Sequence, residues 1–303
     1  MKIKIWLNAL RLPFLTATIV PVVLGSTIAW HHIGRLNWPI LLFTLLGVSF
    51  LHIGTNLAND YFDHKTKNDD LNLNPTPFSG GSRAIQNGLI SSKKILHASL
   101  IFFCIGSMIG LYLTWQLKSS TILLLGIIGV FCGFFYAGFP FKIGYRGLGE
   151  PIVGLCFGPL VVFGAYYVQT QSFSVTPILA SIPVAILITL VLYINEFPDY
   201  DADKQVNKKT LVVRLGKARA LAVYHFLLGL VYLYVVICIL FKLLPLYMLI
   251  VGFTLPWAAK AYLISKKNFL DTNKLLSASR LTVNLHLLLG LLLSAGFIMD
   301  RIF

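Results

Sequence analysis

The chain has 303 residues, of which 57% are hydrophobic and only 12% are charged, and its mean hydropathy is +0.79. This balance excludes an ordinary soluble domain, in which about a quarter of the residues are charged. A net charge of +14 would favour a nucleic-acid partner in a soluble protein, but here the basic residues lie in short segments between long apolar stretches, where they act as topology signals. We therefore predict a polytopic α-helical protein of the lipid bilayer with no nucleic-acid partner.

Nine apolar segments have about the 20-residue length of a membrane span. In chain order they cover residues 13–31, 37–58, 95–117, 120–137, 150–169, 176–195, 218–241, 243–264 and 281–299. With a cytoplasmic N-terminus, all 25 basic residues except Arg35, Lys118, Lys242 and Arg301 fall on the cytoplasmic side, as the positive-inside rule favours. The sequence thus predicts nine transmembrane helices in one domain, residues 1–303, in the inner (cytoplasmic) cell membrane.

Eight of the eleven carboxylates lie in two short clusters, each at the cytoplasmic end of an apolar segment. The first cluster reads Asn56-Leu-Ala-Asn59-Asp60-Tyr-Phe-Asp63 and continues to Asp69 and Asp70. The second reads Asn195-Glu196-Phe-Pro-Asp199-Tyr-Asp201-Ala-Asp203. Helical spacing places the polar residues of each cluster on one face, although Pro198 is expected to weaken the second helix locally.

Clustered carboxylates repel one another, so a cation is expected between them. Carboxylate and amide oxygens suit Mg²⁺, which takes one or two protein carboxylates and completes its shell with water and substrate phosphate oxygens. Zinc, which prefers thiolate and imidazole ligands, is disfavoured. The simpler interpretation, that acidic residues merely end two spans, is disfavoured because the two clusters match in outline.

Candidate anion contacts lie in the polar segments beside the clusters. A Ser79-Gly-Gly turn precedes Arg83, and the turn could expose backbone N–H groups to a phosphate. Lys142 and Arg146 follow the fourth apolar segment and could reach the same place, although either could be only a topology marker.

A prenyl diphosphate matches this combination of metal, cations and apolar helices. Its departing diphosphate gains negative charge that metal ions and fixed cations stabilise, and its allylic cation needs a pocket that excludes water. Among the aromatic residues near the clusters, Tyr136 is the one we select as a ring that borders this cation.

The residues resemble the UbiA superfamily of intramembrane prenyltransferases. Asn59-Asp60-Tyr61-Phe62-Asp63 resembles its first aspartate-rich motif, and Asp199-Tyr-Asp-Ala-Asp203 resembles the second. The stretch Asn56 to Asp63 followed by Asp69 is similar to the menaquinone branch, as are Ser79 to Arg83 and Lys208 to Gly216. Two departures are Asn195-Glu196-Phe-Pro198, where many relatives have Asn-Asn-x-Arg, and Asn207 in place of a usual glycine.

The resemblance implies a nine-helix UbiA-type bundle with a lipid-open cavity under a cytoplasmic cap. It further implies Mg²⁺-dependent transfer of a polyprenyl group from a polyprenyl diphosphate to an aromatic acceptor, 1,4-dihydroxy-2-naphthoate in the menaquinone branch. The implied metal-binding residues are Asn59, Asp60, Asp63, Asp69, Asp199 and Asp203. The implied diphosphate contacts are Arg11, Asn56, Asn59, Arg83, Lys142, Arg146 and Asn195. The implied catalytic residues are Asp63, Asp199, Tyr136, Arg83 and Lys142.

Several alternatives stay open at this point. Other acceptors of the superfamily, namely 4-hydroxybenzoate, haem, chlorophyllide or a glycerol lipid, fit the same motifs. A cation-coupled secondary transporter is the alternative from a different class, since such proteins also carry intramembrane acids. The sequence leaves the prenyl length and the oligomeric state open. The histidines His52, His64, His97 and His225 are given structural or interfacial roles.

Overall fold

The computed structural model describes residues 2–303, and within that range the backbone is helical except for loops and one isolated bridge between Thr76 and Ser79. The α-helices are α1 Lys2–Ala9, α2 Thr16–Ile33, α3 Trp38–Lys65, α4 Asn68–Leu71, α5 Ser92–Leu117, α6 Ser120–Phe135, α7 Gly149–Leu155, α8 Val161–Thr170, α9 Thr176–Gln205, α10 Leu211–Leu215, α11 Lys217–Leu240, α12 Leu255–Asn268 and α13 Thr272–Ile302. Turns of 3₁₀-helix precede α2, α7 and α12, and a π-helical segment, Cys156–Leu160, joins α7 to α8.

Eight helical segments within residues 2–303 are long and apolar enough to cross a membrane. Their bounds are Leu12–Ile33, Trp38–Lys65, Ser92–Leu117, Gly149–Thr170, Thr176–Gln205, Lys217–Leu240, Leu246–Asn268 and Thr272–Ile302. Many large apolar side chains on these helices are exposed to the outside, as lipid contact requires. The chain is a multi-pass integral membrane protein.

The predicted count of nine spans is wrong, and the difference lies in α6. This helix has 16 residues, so it is about 24 Å long and shorter than the roughly 30 Å hydrocarbon core. It begins beside the end of α8, where Ser119 Oγ donates a hydrogen bond to Tyr167 Oη over 3.4 Å. It still returns the chain to the acidic end of the bundle, because Tyr136 follows its last residue and lines a cavity with Asp63.

The two helices that carry the acidic clusters extend well beyond their apolar segments. Helix α3 continues to Lys65 rather than ending near residue 58, and α9 continues to Gln205 rather than near residue 195. Pro198 does not interrupt α9, although a helical proline costs a backbone hydrogen bond. The surrounding buried residues of α9 hold the helix in place by tertiary packing. Residues 56–63 and 195–203 therefore lie on regular helices, as their spacing predicted, whereas Asp69 and Asp70 lie on the short helix α4.

Packing is dense on one side of the bundle and open on the other. The largest buried cluster joins α2, α9, α11 and α13 around residues such as Tyr193, Tyr224 and Phe297. Helices α2 and α8 touch at Gly25, where any Cβ would clash with the Val162 carbonyl. On the opposite side α3, α5, α6 and the α7–α8 segment surround an apolar cavity. The dense side supports α9, and the open side leaves space for a ligand.

Candidate active site

Asp63, at the end of α3, lies at the centre of a buried polar cluster. Its carboxylate is 2% exposed and accepts hydrogen bonds from Tyr145 Oη over 2.6 Å and from Asn59 Nδ2 over 3.1 Å. Lys208 Nζ lies 3.3 Å from the same carboxylate. These contacts hold both oxygens of Asp63, and charge-assisted hydrogen bonds of this kind are the stronger ones in proteins.

The loop that follows the first cluster binds the second cluster. Asn68 Nδ2 donates to Asp203 Oδ1 over 2.7 Å, and Asn72 Nδ2 donates to Asp199 Oδ1 over 2.7 Å. The backbone N–H of Gly80 donates to the other oxygen of Asp199 over 3.3 Å. The bonded residues of these two asparagine–aspartate pairs are 135 and 127 positions apart in the sequence. The two acidic motifs therefore belong to one site.

Lys208 lies between the two motifs. Its ammonium nitrogen is 3.3 Å from Asp63 Oδ2 and 3.5 Å from Asp203 Oδ1. Burial lowers the pKa of Lys208, but the carboxylates of Asp203 and Asp63 outweigh burial and hold that pKa well above its usual value. The side chain is thus a fixed cation of the site. Sequence reasoning placed Lys208 in a matching stretch without assigning it a role; a lysine five residues after Asp203 was the available signal.

Asp69 is buried opposite the flexible turn of the loop. It is 3% exposed, and its Oδ2 atom makes no hydrogen bond to residues 2–303. Burial raises the pKa of Asp69 well above its usual value, and the charges of Asp63 and Asp60 raise it further. Gly81 has a φ of +74° and a Cβ there would clash with Asp69 Oδ2, so glycine is required both for the backbone angle and for space.

Asp60 faces away from the cavity and holds a cation in place. Its carboxylate pairs with the Arg11 guanidinium at 3.0 Å and accepts the backbone N–H of Ser82 at 3.3 Å. Arg11 itself lines the cavity. Asp60 was predicted as a metal ligand; in the structure it does not line this cavity, and its carboxylate orients Arg11.

A cavity of about 190 Å³ forms the head compartment between these residues. The predicted site residues that line it are Arg11, Asn56, Asn59, Asp63, Asp69, Tyr136, Asn195, Asp199 and Asp203. Lys208 and Glu196 line it as well. Sequence reasoning noted Glu196 as a departure from the family pattern without giving it a role.

Four predicted residues do not line the head compartment: Asp60, Arg83, Lys142 and Arg146. Arg83 donates to the backbone carbonyl of Asp69 and so fixes the loop. Lys142 Nζ lies 3.9 Å from the centre of the Phe139 ring and 5.0 Å from that of Tyr145. Arg146 is exposed and donates to the Pro140 carbonyl. These cations support the walls of the site because their side chains are committed to neighbouring groups.

The donor set of the head compartment fits a hard cation. Asn59 Oδ1 and Asp69 Oδ2 are buried oxygen atoms without a hydrogen-bond donor among residues 2–303, and both residues line the compartment. Within that same range no three His, Cys, Asp or Glu side chains converge closely enough to hold a metal by themselves. That pattern suits Mg²⁺, which usually completes its shell with water and phosphate oxygens.

A second cavity of about 180 Å³ forms the tail compartment between α3, α5, α6 and the α7–α8 segment. Its walls are apolar, and seven glycines contribute to them: Gly47, Gly106, Gly110, Gly126, Gly129, Gly133 and Gly164. The tail compartment joins the head compartment at residues that line both: His52, Thr55, Tyr136, Val153 and Phe157. A polar, charged compartment therefore lies directly beside an apolar one.

Fold and cavities together define a class of protein: an integral membrane protein with a buried site for an amphiphile. Comparison with known proteins identifies the family within that class. Residues 18–295 match the model of the UbiA prenyltransferase family. The chain belongs to the UbiA prenyltransferase family and is a prenyltransferase, as the sequence motifs predicted.

Curated relatives cover nearly the whole chain. The chain is 31% identical to 2-carboxy-1,4-naphthoquinone phytyltransferase of Synechocystis sp., over 97% of this chain and 93% of that protein. It is 28% identical to 1,4-dihydroxy-2-naphthoate octaprenyltransferase of Bacillus subtilis, over 94% of this chain and 89% of that protein. The fold is shared with a UbiA homolog from Archaeoglobus fulgidus bound to GPP and Mg²⁺, with a TM-score of 0.69, 15% identity, and coverage of 96% of this chain and 99% of that one.

Proposed function

We propose that this protein transfers a polyprenyl group from a polyprenyl diphosphate to an aromatic acceptor, 1,4-dihydroxy-2-naphthoate. The observation that carries the proposal is that the two compartments meet at five shared lining residues. A charged head compartment suits a diphosphate, and an apolar tail compartment suits a hydrocarbon chain. Both are needed by a substrate that joins these two parts through one bond.

The acidic motifs are the proposed metal and diphosphate subsite. Asn59, Asp63 and Asp69 would contribute oxygens from the first motif, and Asp199 and Asp203 from the second. Bound Mg²⁺ would neutralise charge on the departing diphosphate. Arg11 and Lys208 line the same compartment and would stabilise that charge as fixed cations, without reorganisation during the reaction.

The scissile bond is proposed to lie where the compartments meet. Cleavage of the bond between the allylic carbon and the diphosphate oxygen leaves a carbocation, which water would trap if it could enter. Apolar Val153 and Phe157 line this junction and would exclude water. Tyr136 also lines the junction, and its ring would stabilise the cation.

Naphthoate is the proposed acceptor because two features favour it. The relatives from Synechocystis sp. and Bacillus subtilis are named as a 2-carboxy-1,4-naphthoquinone phytyltransferase and a 1,4-dihydroxy-2-naphthoate octaprenyltransferase. The spacing from Asn56 through Asp63 to Asp69 resembles the menaquinone branch of the family. Among the other acceptors of the superfamily, 4-hydroxybenzoate competes with naphthoate in the product assay.

The proposed location is the cytoplasmic cell membrane, with the N-terminus and the head compartment facing the cytoplasm. Arg11, Arg83, Lys142 and Lys208 all lie around the acidic end of the bundle. The positive-inside rule assigns an end rich in arginine and lysine to the cytoplasm.

A product assay tests the function directly. Purified full-length protein in detergent receives Mg²⁺, a mixture of prenyl diphosphates, and 1,4-dihydroxy-2-naphthoate and 4-hydroxybenzoate in competition. Mass spectrometry should detect a prenylated, decarboxylated naphthalenediol, and EDTA should abolish it. Prenylated hydroxybenzoate would overturn the acceptor while leaving the mechanism. No product from either acceptor would overturn prenyl transfer to these aromatic rings.

A further inference from the structure

The junction between the compartments identifies where the acceptor must react. This inference rests on the proposed function. In a prenyl diphosphate a single C–O bond links the charged head to the hydrocarbon tail, so the reacting carbon must lie where the two compartments meet. Five residues line both, and among these five only His52 and Tyr136 carry a titratable side chain.

His52 is held in a defined orientation. It lies on α3, one turn before Asn56, and is 9% exposed. Its Nδ1 atom lies 2.8 Å from Thr18 Oγ1, and its ring centre lies 4.7 Å from that of Phe157. Among residues 2–303, Nε2 has no hydrogen-bond partner. When Nδ1–H donates to Thr18, the lone pair of Nε2 is available to a ligand.

We propose that His52 Nε2 accepts the hydroxyl proton of the aromatic acceptor during prenyl transfer. The ring carbon of the acceptor that carries the carboxylate forms a bond to the allylic carbon of the prenyl group. At the same time the allylic C–O bond breaks, and the electron pair of that C–O bond leaves with the diphosphate. The acceptor O–H proton moves to Nε2, so the ring oxygen becomes a carbonyl. Loss of carbon dioxide from the bond-forming carbon restores the ring, and the imidazolium returns its proton to the oxygen.

Other groups of the site are less well placed for this proton transfer. Asp63 and Asp199 already accept several hydrogen bonds each and line the head compartment but not the tail compartment. Glu196, Arg11 and Lys208 line the head compartment but not the tail compartment. These three residues and the aspartates of the two motifs are the charged groups that line the head compartment together with His52. Tyr136 is a phenol, whose hydroxyl is not a base at neutral pH.

The replacement His52→Asn separates the proposed role from a structural one. An asparagine amide can occupy the position of Nδ1 beside Thr18, but it places no atom where Nε2 lies. We expect turnover to fall about 100-fold or more, the typical contribution of a general base. The affinity for the prenyl diphosphate should fall much less than turnover, because the charged groups of the head compartment that would bind the diphosphate are unchanged. His97→Asn, the same change at an exposed position on α5, is the matched control.

Two further measurements identify proton transfer. The wild-type kcat should change little over the pH range in which the acceptor hydroxyl ionises, whereas the kcat of His52→Asn should rise with pH, because without the base only an already ionised acceptor reacts. An acceptor fluorinated on its ring, whose hydroxyl ionises more readily, should restore much of the lost turnover. Near-normal turnover of His52→Asn, or an equal loss of prenyl diphosphate binding and turnover, would overturn the inference alone. A wild-type enzyme that prenylates no aromatic acceptor would overturn the proposed function and this inference with it.

Discussion

The head and tail compartments are built by opposite means. In the head compartment, Asp63 and Asp199 are held by hydrogen bonds from α3, the following loop, Tyr145 and Lys208. In the tail compartment the walls are apolar and rich in glycine, and a Cβ added at Gly110 or Gly126 would meet no atom within 4 Å. Hydrogen bonds and ion pairs therefore shape the head compartment, whereas the small size of glycine leaves room in the tail compartment.

This difference predicts different responses to mutation. A directional polar site loses function when a single donor or acceptor is removed, since the remaining partner is left buried and unsatisfied. Where a glycine of the apolar compartment has no close neighbours, a larger side chain can replace it. The replacement then changes the shape of the cavity but does not displace neighbouring side chains. Chemistry should therefore be sensitive to changes at the head, and substrate size to changes at the tail.

The largest effect is expected from the central aspartates. Asp63→Ala and Asp199→Ala should each lower prenyl transfer by about 1,000-fold or more, because each removes a carboxylate of the diphosphate subsite. The loss is measured as the turnover of the purified variants, and size-exclusion profiles verify that they fold. Asp70→Ala is the control, since Asp70 lies outside the head compartment and contacts only the side chain of His64 at 3.3 Å. Near-normal turnover in either variant would contradict the metal-site assignment.

Lys208→Met should have the next largest effect. Removal of the ammonium leaves Asp63 and Asp203 facing each other without their fixed cation, so we expect kcat/KM for the prenyl diphosphate to fall about 100-fold. Thermal unfolding should also occur at a lower temperature. Lys208→Arg should recover part of both losses. The exposed neighbour Lys209, replaced by Met, is the matched control; equal loss in the two Met variants would refute a specific role for Lys208.

Gly126→Leu tests the tail compartment. The new side chain should extend into the compartment and shorten the accessible space without displacing neighbouring atoms. We expect kcat/KM for a long polyprenyl diphosphate to fall about tenfold, while that for dimethylallyl diphosphate changes little, since dispersion contacts at the tail are lost only by the long chain. Parallel assays with the two substrates measure the ratio. An equal decrease for both substrates would argue against a tail compartment at this position.

Tyr145→Phe should have the smallest effect of the four. It removes the hydroxyl that donates to Asp63 over 2.6 Å and lies 2.6 Å from Thr66 Oγ1. A hydrogen bond to a charged partner is worth about 1.5 to 3 kcal/mol, but Asn59 and Lys208 still hold Asp63 and offset part of that loss. We therefore expect kcat/KM to fall about five- to tenfold. A change as large as that of Asp63→Ala would show that Tyr145 takes a direct part in the reaction.

Much of the protein could be predicted from local sequence. The length and hydropathy of the apolar segments indicate a helical membrane protein because a bilayer requires continuous apolar helices. The spacing of acids within each cluster places Asn59 and Asp63, or Asp199 and Asp203, on one helical face because helix periodicity is local. Family membership follows from the same two motifs, and the comparisons confirm it.

Contacts between distant segments required the tertiary structure. The pairing of Asp60 with Arg11, the position of Lys208 between Asp63 and Asp203, and the placement of His52 at the junction of the compartments join segments that are far apart in the chain. Residue type and local spacing carry no information about these partners. The sequence by itself thus determined the helices and the acidic motifs, whereas packing decided which side chains face the substrate, because facing depends on how neighbouring helices are rotated and how their connecting loops return.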